Sequence, residues 1–182
     1  MGHRKKILAI PGSIRTNSSN ESILKFIAQK YYQLLDVEIY YGLDKLPHFN
    51  PDMDFDIEHG EVKELRSKIE KADGVLICSP EYVFSIPGAL KNAIEWTVST
   101  TVFSHKPVAI IVASGLGEKA YESLILIMTT LYAKLEADSN LLIAGARAKL
   151  KNNEITDTVT LEQIDKMVSS LINSINANIP NS

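Results

Sequence analysis

Short apolar runs and longer amphipathic stretches alternate along the chain. Three runs, residues 5–11, 74–79 and 106–113, have no regular alternation with polar residues. This pattern is typical of strands that are covered on both faces in a parallel sheet. Residues 37–41 predict a short strand near a sheet edge, because they are β-branched and aromatic, and residues 140–144 predict a weaker fifth strand.

Apolar residues at helical spacing separate these strands. The spacing predicts helices over residues 21–35, 61–72, 88–98, 118–135 and 161–175. Strands that alternate with helices through right-handed crossovers form a doubly wound α/β fold. We therefore expect a five-stranded parallel sheet in the order 2-1-3-4-5, with helices on both faces.

Length and composition predict one domain over residues 1–182. A chain of 182 residues that are 45% apolar can bury one hydrophobic core and is short for two domains. The formal net charge of −3 gives no general attraction to nucleic acid. No apolar run approaches the roughly 20 residues that span a bilayer, and the first strand begins without a signal-peptide pattern. We expect a cytoplasmic protein with neither nucleic acid nor membrane as a partner.

Cysteine and histidine offer little metal or thiol chemistry. The single cysteine, Cys78, lies in the predicted third strand, where a lone cysteine is usually a small buried hydrophobe. The four histidines are scattered without metal-ligand spacing. We predict neither a disulfide nor a metal site.

The first strand is followed by a polar loop over residues 12–20, rich in Gly, Ser, Thr and Asn and containing Arg15. Hydroxyls, backbone amides, a helix N-terminus and a guanidinium in one small volume suit a dianionic phosphate. The loop has neither the Gly-Lys-Ser/Thr ending of a P-loop nor the three glycines of a dinucleotide turn. Its Ser and Asn residues could instead only cap the following helix.

Three loops are expected to meet at one edge of the predicted sheet. In this strand order the crevice lies beyond the carboxyl ends of strands one and three. Residues 12–20, 80–87 and 114–117 each follow an apolar strand with turn residues and small side chains. This convergence favours a binding site at that edge.

Two stretches carry a family resemblance. Residues 12–20 read Gly-Ser-x-Arg-x-x-Ser-x-Asn, and residues 80–96 contain Pro-Glu-Tyr followed by Pro-Gly-x-Leu-Lys-Asn-Ala and an acidic residue before Trp96. This order resembles the NAD(P)H-dependent FMN reductases, flavodoxin-like proteins that include quinone, azo-dye and chromate reductases. Val83 stands where that family usually has Asn, which removes one polar contact near the flavin ring or its substrate.

The resemblance implies FMN as cofactor and NADPH or NADH as co-substrate. Its motifs imply that the phosphate contacts come from Ser13, Arg15, Ser18, Ser19 and Asn20. They imply that the flavin ring is bordered by Pro80, Glu81, Tyr82 and Val83, and by Ser114, Gly115 and Gly117. No side-chain catalytic acid, base or nucleophile is implied, because the flavin carries the chemistry.

The resulting hypothesis is a reductase that passes electrons from a nicotinamide through FMN to a quinone, flavin or azo compound. The alternatives are a flavodoxin-type FMN carrier that oxidises no nicotinamide, and a regulatory α/β domain without flavin. Relatives in this family are commonly homodimers or homotetramers, and the apolar residues 83–86 could form that contact. Tyr82 and Phe84 could instead be surface anchors for a partner subunit, whereas Trp96 is expected in the core or at a dimer contact.

Overall fold

Five parallel strands form one sheet in the order β2-β1-β3-β4-β5 among the residues that the computed structural model describes, 3–53, 60–151 and 154–178. This is the predicted order. The strands are β1 (Lys5–Pro11), β2 (Leu35–Ile39), β3 (Gly74–Ser79), β4 (Pro107–Ser114) and β5 (Lys134–Ala144). The helices are α1 (Ser19–Lys30), α2 (Gly60–Lys71), α3 (Gly88–Glu95), α4 (Glu118–Thr130), a single turn α5 (Ala146–Lys149) and α6 (Thr158–Ala177). A short antiparallel pair, β6 (Leu150–Lys151) and β7 (Glu154–Ile155), stands apart from the sheet.

The sheet separates two apolar cores. Alternate residues of β1 and β3, such as Leu8 and Ile77, pack with α2, α3 and α4 on one face. Their neighbours, such as Ile7 and Cys78, pack with α1 and α6 on the other. The central strands are apolar at successive positions because both of their faces are buried.

Two predicted helices end earlier in the structure than apolar periodicity indicated. α1 ends at Lys30 instead of residue 35, because Leu35 starts β2 and pairs with Lys5 of β1. α4 ends at Thr130 instead of residue 135, because the backbone turns at Tyr132, where φ is +57°, and β5 begins at Lys134. In both places strand pairing terminates a pattern that local sequence could have continued.

The remaining corrections concern element lengths. β2 lies two residues earlier than predicted, and α3 ends at Glu95, so that Val98 is exposed. β5 has eleven residues instead of the predicted five, because Lys134 and Leu135 already pair with β4 before a shift in register, after which the pairing resumes at Asn140. α6 begins at Thr158, where the Asp157 side chain caps it by accepting a hydrogen bond from the Thr160 N–H at 2.9 Å.

Trp96 lies in the core, as expected. Its indole N–H donates to the Pro47 carbonyl at 2.7 Å, and its ring meets Phe49 edge to face at 5.2 Å. The amide of Asn92 also holds this segment, through the Phe49 N–H and the Pro47 carbonyl. The predicted irregular connection over residues 42–58 is therefore fastened at its centre, while residues 54–58 lie outside the described residues.

Within the described ranges, no helix has the length and apolar character needed to cross a bilayer. The same ranges contain no cluster of three or more His, Cys, Asp or Glu side chains arranged to hold a metal ion.

Candidate functional site

A cavity of about 460 Å³ opens at the carboxyl ends of β1, β3 and β4. The loops that follow all three strands line it, together with the segment that follows β5. Its lining consists of Arg15, Ser18, Ser19, Asn20, Pro80, Glu81, Tyr82, Ala113, Ser114, Gly115, Gly145, Ala146, Arg147 and Ala148. The predicted convergence of the three loops is therefore present in the structure.

A cleft of similar size, about 480 Å³, lies at the opposite end of the sheet beside β2 and α2. In this cleft Lys68 pairs with both Glu38 and Glu64. The carboxyl-end cavity differs because it also presents backbone N–H groups at a helix start, and these have no acceptor among the described residues.

The loop after β1 approaches β3 very closely. Gly12 donates its N–H to the Cys78 carbonyl at 2.8 Å, and a Cβ at position 12 would lie 2.7 Å from the Ser79 Oγ. Only glycine permits this approach. The close packing directs the residues that follow, through Arg15, towards the cavity.

The N-terminus of α1 forms one wall of the cavity. Ser18 is the N-cap, and its Oγ accepts a hydrogen bond from the Glu21 N–H at 3.2 Å. The backbone N–H groups of Ser19 and Asn20 have no acceptor in the described part of the chain. Free N–H groups at a helix start attract anions.

Asn20 is a buried polar residue of this wall, with 3% of its surface exposed, as is Ser18. Its Oδ1 accepts a hydrogen bond from the Cys78 thiol at 3.3 Å. Its amide NH₂ has no acceptor among the residues described. This donor therefore remains available to a ligand acceptor.

Two arginines line the cavity, Arg15 from the loop after β1 and Arg147 from α5. Neither guanidinium forms an ion pair or a side-chain hydrogen bond with any residue that the structure describes. Two cations and several unused N–H donors therefore face one volume, which favours an anionic ligand.

The Glu81 carboxylate lines the same cavity, but it is directed at the start of α4. It accepts hydrogen bonds from the N–H groups of Gly117 at 3.3 Å, Lys119 at 2.9 Å and Ala120 at 3.0 Å. Since Gly117 has no side chain to cap this helix, Glu81 supplies the cap from another loop. The loop after β3 is thereby tied to the loop after β4.

A tight turn over residues 82–85 forms the rim of the cavity. Tyr82 and Ser85 exchange two backbone hydrogen bonds, of 2.9 and 3.0 Å, across Val83 and Phe84. Both central residues have positive φ, +51° and +55°, which is typical of Asn or Gly and rare for valine. Val83 is 96% exposed and Phe84 is 72% exposed, so a strained turn displays two apolar side chains to solvent.

Ser13 lies behind the cavity wall. Its Oγ is 3.1 Å from the Tyr82 hydroxyl and accepts a hydrogen bond from the Arg15 N–H at 3.2 Å. It lines a smaller neighbouring cavity of about 180 Å³. In this structure Ser13 links the loop after β1 to the turn after β3.

Glu21 supports the same loop from the smaller cavity. Its carboxylate accepts hydrogen bonds from the Asn17 N–H at 2.9 Å and the Tyr41 hydroxyl at 3.2 Å, and pairs with Lys25 at 2.6 Å. The hydrogen bond from Lys25, followed by that from Asn17, lowers the pKa of Glu21 although burial opposes the shift. An ionised Glu21 therefore holds Asn17 at its positive φ of 55°.

Nine of the twelve sequence-predicted site residues line the cavity, and the other three lie beside it. Ser13 is in the neighbouring cavity, Val83 faces solvent, and Gly117 occupies the N-cap position of α4 with a φ of +100°. Sequence reasoning missed the segment from Gly145 to Ala148. Its signal was a glycine that directly follows a strand, as in the loops after β1 and β4.

Comparison with known proteins adds three findings. Residues 5–146 match the sequence model of the family described as NADPH-dependent FMN reductase. The chain is 32% identical over 180 residues to the NADH-dependent flavin reductase subunit 2 of Lactobacillus johnsonii, covering 92% of this chain and 95% of that protein. It is 33% identical over 172 residues to the NADH:(hydroxy)cinnamate reductase subunit CrdA of Vibrio ruber, covering 91% and 84% respectively.

A solved structure agrees with the fold. The flavoenzyme NAD(P)H:(acceptor) oxidoreductase FerB of Paracoccus denitrificans superposes with a TM-score of 0.77 over 95% of this chain and 98% of that one, at 24% identity. This similarity concerns the arrangement of the sheet and helices.

Proposed function

Because this chain belongs to the NADPH-dependent FMN reductase family, we propose that its FMN binds in the cavity at the carboxyl ends of β1, β3 and β4. The chain is an FMN-dependent oxidoreductase with a nicotinamide as electron donor. The observation that carries the proposed location is a set of donors without a partner in the described part of the chain, Arg15 together with the N–H groups of Ser19 and Asn20. The alternative of a flavodoxin-type carrier that oxidises no nicotinamide is not favoured by the relatives.

The phosphate is proposed to bind at the N-terminus of α1. Arg15 supplies a planar, two-pronged cation, and the free N–H groups of Ser19 and Asn20 supply neutral donors. Ser18 caps the helix through its oxygen lone pair and keeps its hydroxyl hydrogen for the ligand. Ser13 and Glu21 hold the loop in shape from behind.

The flavin ring is proposed to lie between the loops after β3 and β4, beside Pro80, Tyr82, Ser114 and Gly115. When bound, FMN supplies the redox chemistry, accepting hydride from the nicotinamide and returning electrons to the acceptor. The residues of the chain position the ring. Since Glu81 is fully engaged with α4, it braces these loops and presents no unpaired carboxylate to the ring.

The acceptor is proposed to be a small conjugated molecule, a quinone, a flavin or an azo compound. The rim supports this class, because Tyr82, Val83 and Phe84 offer an aromatic and apolar edge instead of charges. Two relatives are named for a flavin and for a hydroxycinnamate, which are both planar and conjugated.

The same turn supports the proposal that the chain forms a homodimer or homotetramer. Val83 and Phe84 expose apolar surface on a strained turn, and contact with a second subunit would remove that surface from water. Light scattering tests this directly, since a wild-type monomer at working concentration would contradict it.

We also propose that residues 1–182 act as one domain in the cytoplasm, where reduced nicotinamides are available.

The decisive test is anaerobic titration of the purified protein with NADH and with NADPH, followed by absorbance. We expect a bound flavin that is bleached by nicotinamide and recovers its colour when a quinone is added. A protein that binds no FMN, or one whose flavin no nicotinamide reduces, would contradict the proposal.

The Arg15→Gln variant tests whether the FMN phosphate binds beside Arg15. Arg15→Gln should weaken FMN binding by about 10- to 100-fold, because a charge-assisted hydrogen bond contributes about 1.5–3 kcal/mol. Riboflavin, which lacks the phosphate, should bind both proteins equally. Equal loss for both flavins would place Arg15 elsewhere.

A further inference from the structure

We infer that Arg147 is a second phosphate-binding cation of this cavity and acts with Arg15 on the FMN phosphate. The inference rests on the proposed FMN site, and it concerns a residue outside the family motifs in the first two loops. Three features of the structure support it: the fixed backbone that carries Arg147, the engaged side chains of its charged neighbours, and the positive charge that the cavity offers to a ligand.

The backbone that carries Arg147 is fixed at both ends. Gly145 donates its N–H to the Gly115 carbonyl at 3.1 Å and adopts a φ of +64°, which turns the chain sharply at the end of β5. Ala146 is buried in the core beside α1 and α6. Arg147 is therefore presented to the cavity by a rigid turn that is joined to the proposed ring-binding loop.

Two charged neighbours of Arg147 already have partners, whereas Arg147 has none among the described residues. Lys149 lies on the same helical turn and forms an ion pair with Asp157 at 3.9 Å. Glu81, the carboxylate that lines the same cavity, is held by three N–H groups of α4. No acidic side chain among the described residues is bound to Arg147, so its charge remains available to a ligand.

The cavity therefore presents two guanidinium groups that have no partner among the described residues, beside N–H groups of α1 that have no acceptor there either. A phosphate monoester carries a charge of about −1.5 to −2 at neutral pH and three acceptor oxygens. One arginine matches one of these charges, and the second arginine matches the other. The charge balance thus favours a dianion such as the FMN phosphate over a singly charged ligand.

Flavin titration of the apoprotein tests the role of Arg147. For Arg147→Gln we expect about a tenfold loss of FMN affinity, unchanged riboflavin affinity and a weaker dependence of FMN binding on salt, because one cation fewer contacts the phosphate. Arg147→Lys should recover part of the loss. Lys149→Gln is the matched control, which removes a neighbouring charge outside the cavity and should bind FMN like wild type.

The outcomes are distinguishable from those of the proposed function. If wild type binds FMN more tightly than riboflavin but Arg147→Gln does so equally well, the role of Arg147 is refuted and the FMN site stands. If Arg147→Gln instead raises only the KM for NADPH and not that for NADH, the arginine serves the nicotinamide phosphate and the inference is also wrong. If wild type binds no FMN, the proposed function fails first. Circular dichroism checks folding, and Arg147→Lys keeps the test valid should the glutamine variant unfold.

Discussion

The Glu81 carboxylate accepts a hydrogen bond from the backbone N–H of Ala120, 3.0 Å away, although the two residues are 39 positions apart. This contact, with those to Gly117 and Lys119, makes Glu81 the cap of a helix to which it does not belong. These hydrogen bonds therefore hold together the two loops proposed to enclose the flavin ring.

Removal of this cap should destabilise the protein. Glu81→Ala leaves three helix N–H groups without their acceptor, and we expect a loss of about 1–2 kcal/mol in the free energy of unfolding. This corresponds to about 2–8 °C in Tm for a chain of this size. Thermal unfolding of the apoprotein measures this change in Tm. Glu122→Ala is the control, since Glu122 forms only an exposed ion pair with Lys119. An equal change in both variants would contradict the capping role.

The lowered pKa of Glu21 should appear as acid sensitivity. Because Lys25 and Asn17 stabilise the carboxylate in the folded state, its contribution to stability is complete above the ordinary glutamate pKa of 4.5 and is lost as the pH falls through the lowered folded-state pKa. The stability difference between wild type and Glu21→Gln should be constant near neutral pH and shrink below pH 4.5. Chemical denaturation at a series of pH values measures it. A difference that does not change with pH would show that Glu21 is not ionised in the fold.

Relief of the strain at Val83 should stabilise the chain. A β-branched residue at positive φ costs about 1–2 kcal/mol, whereas asparagine tolerates that conformation. We expect Val83→Asn to raise Tm by about 2–4 °C. Val159→Asn is the control, because Val159 is also an exposed valine but lies in the first turn of α6. A Tm that falls in Val83→Asn would mean that the valine side chain makes a favourable contact, for example in an oligomer.

The thiol of Cys78 should be unreactive in the native state. Burial raises the pKa of its thiol, and its hydrogen is donated to Asn20 inside the core. Native protein should give no reaction with a thiol reagent, and one thiol should appear after denaturation. Rapid labelling of native protein would require local opening of β3 or α1.

The central strands could be predicted because their signal is local. β1 and β3 are apolar at successive positions, and they have the predicted bounds. The ends of α1 and α4 could not be predicted in this way, because Leu34, Leu35, Leu131 and Leu135 continue the helical spacing. Those ends are set by hydrogen bonds to strands far away in the sequence, such as the pairing of Leu35 with Lys5.

The candidate site also combines features that could be predicted from the sequence with features that could not. The polar loop around Arg15 and the Pro-Glu-Tyr stretch could be recognised by residue type, and their meeting followed from the strand order. Arg147 was missed although the predicted fifth strand ends at Ala144 as it does in the structure, because no sequence motif assigns the residues after that strand to the cavity. The role of Glu81 was hidden because its partners lie on another element.

Sequence by itself determined which residues are buried in the sheet and which loops carry anion-binding chemistry, since hydrophobic periodicity and turn residues act over a few neighbouring positions. Only the tertiary structure decided where the helices end, which carboxylates are already engaged, and that Arg15 and Arg147 share one cavity with no partner among the residues it describes. These properties depend on contacts between residues tens of positions apart, and hydrogen bonds and charge pairing of that kind leave no local pattern.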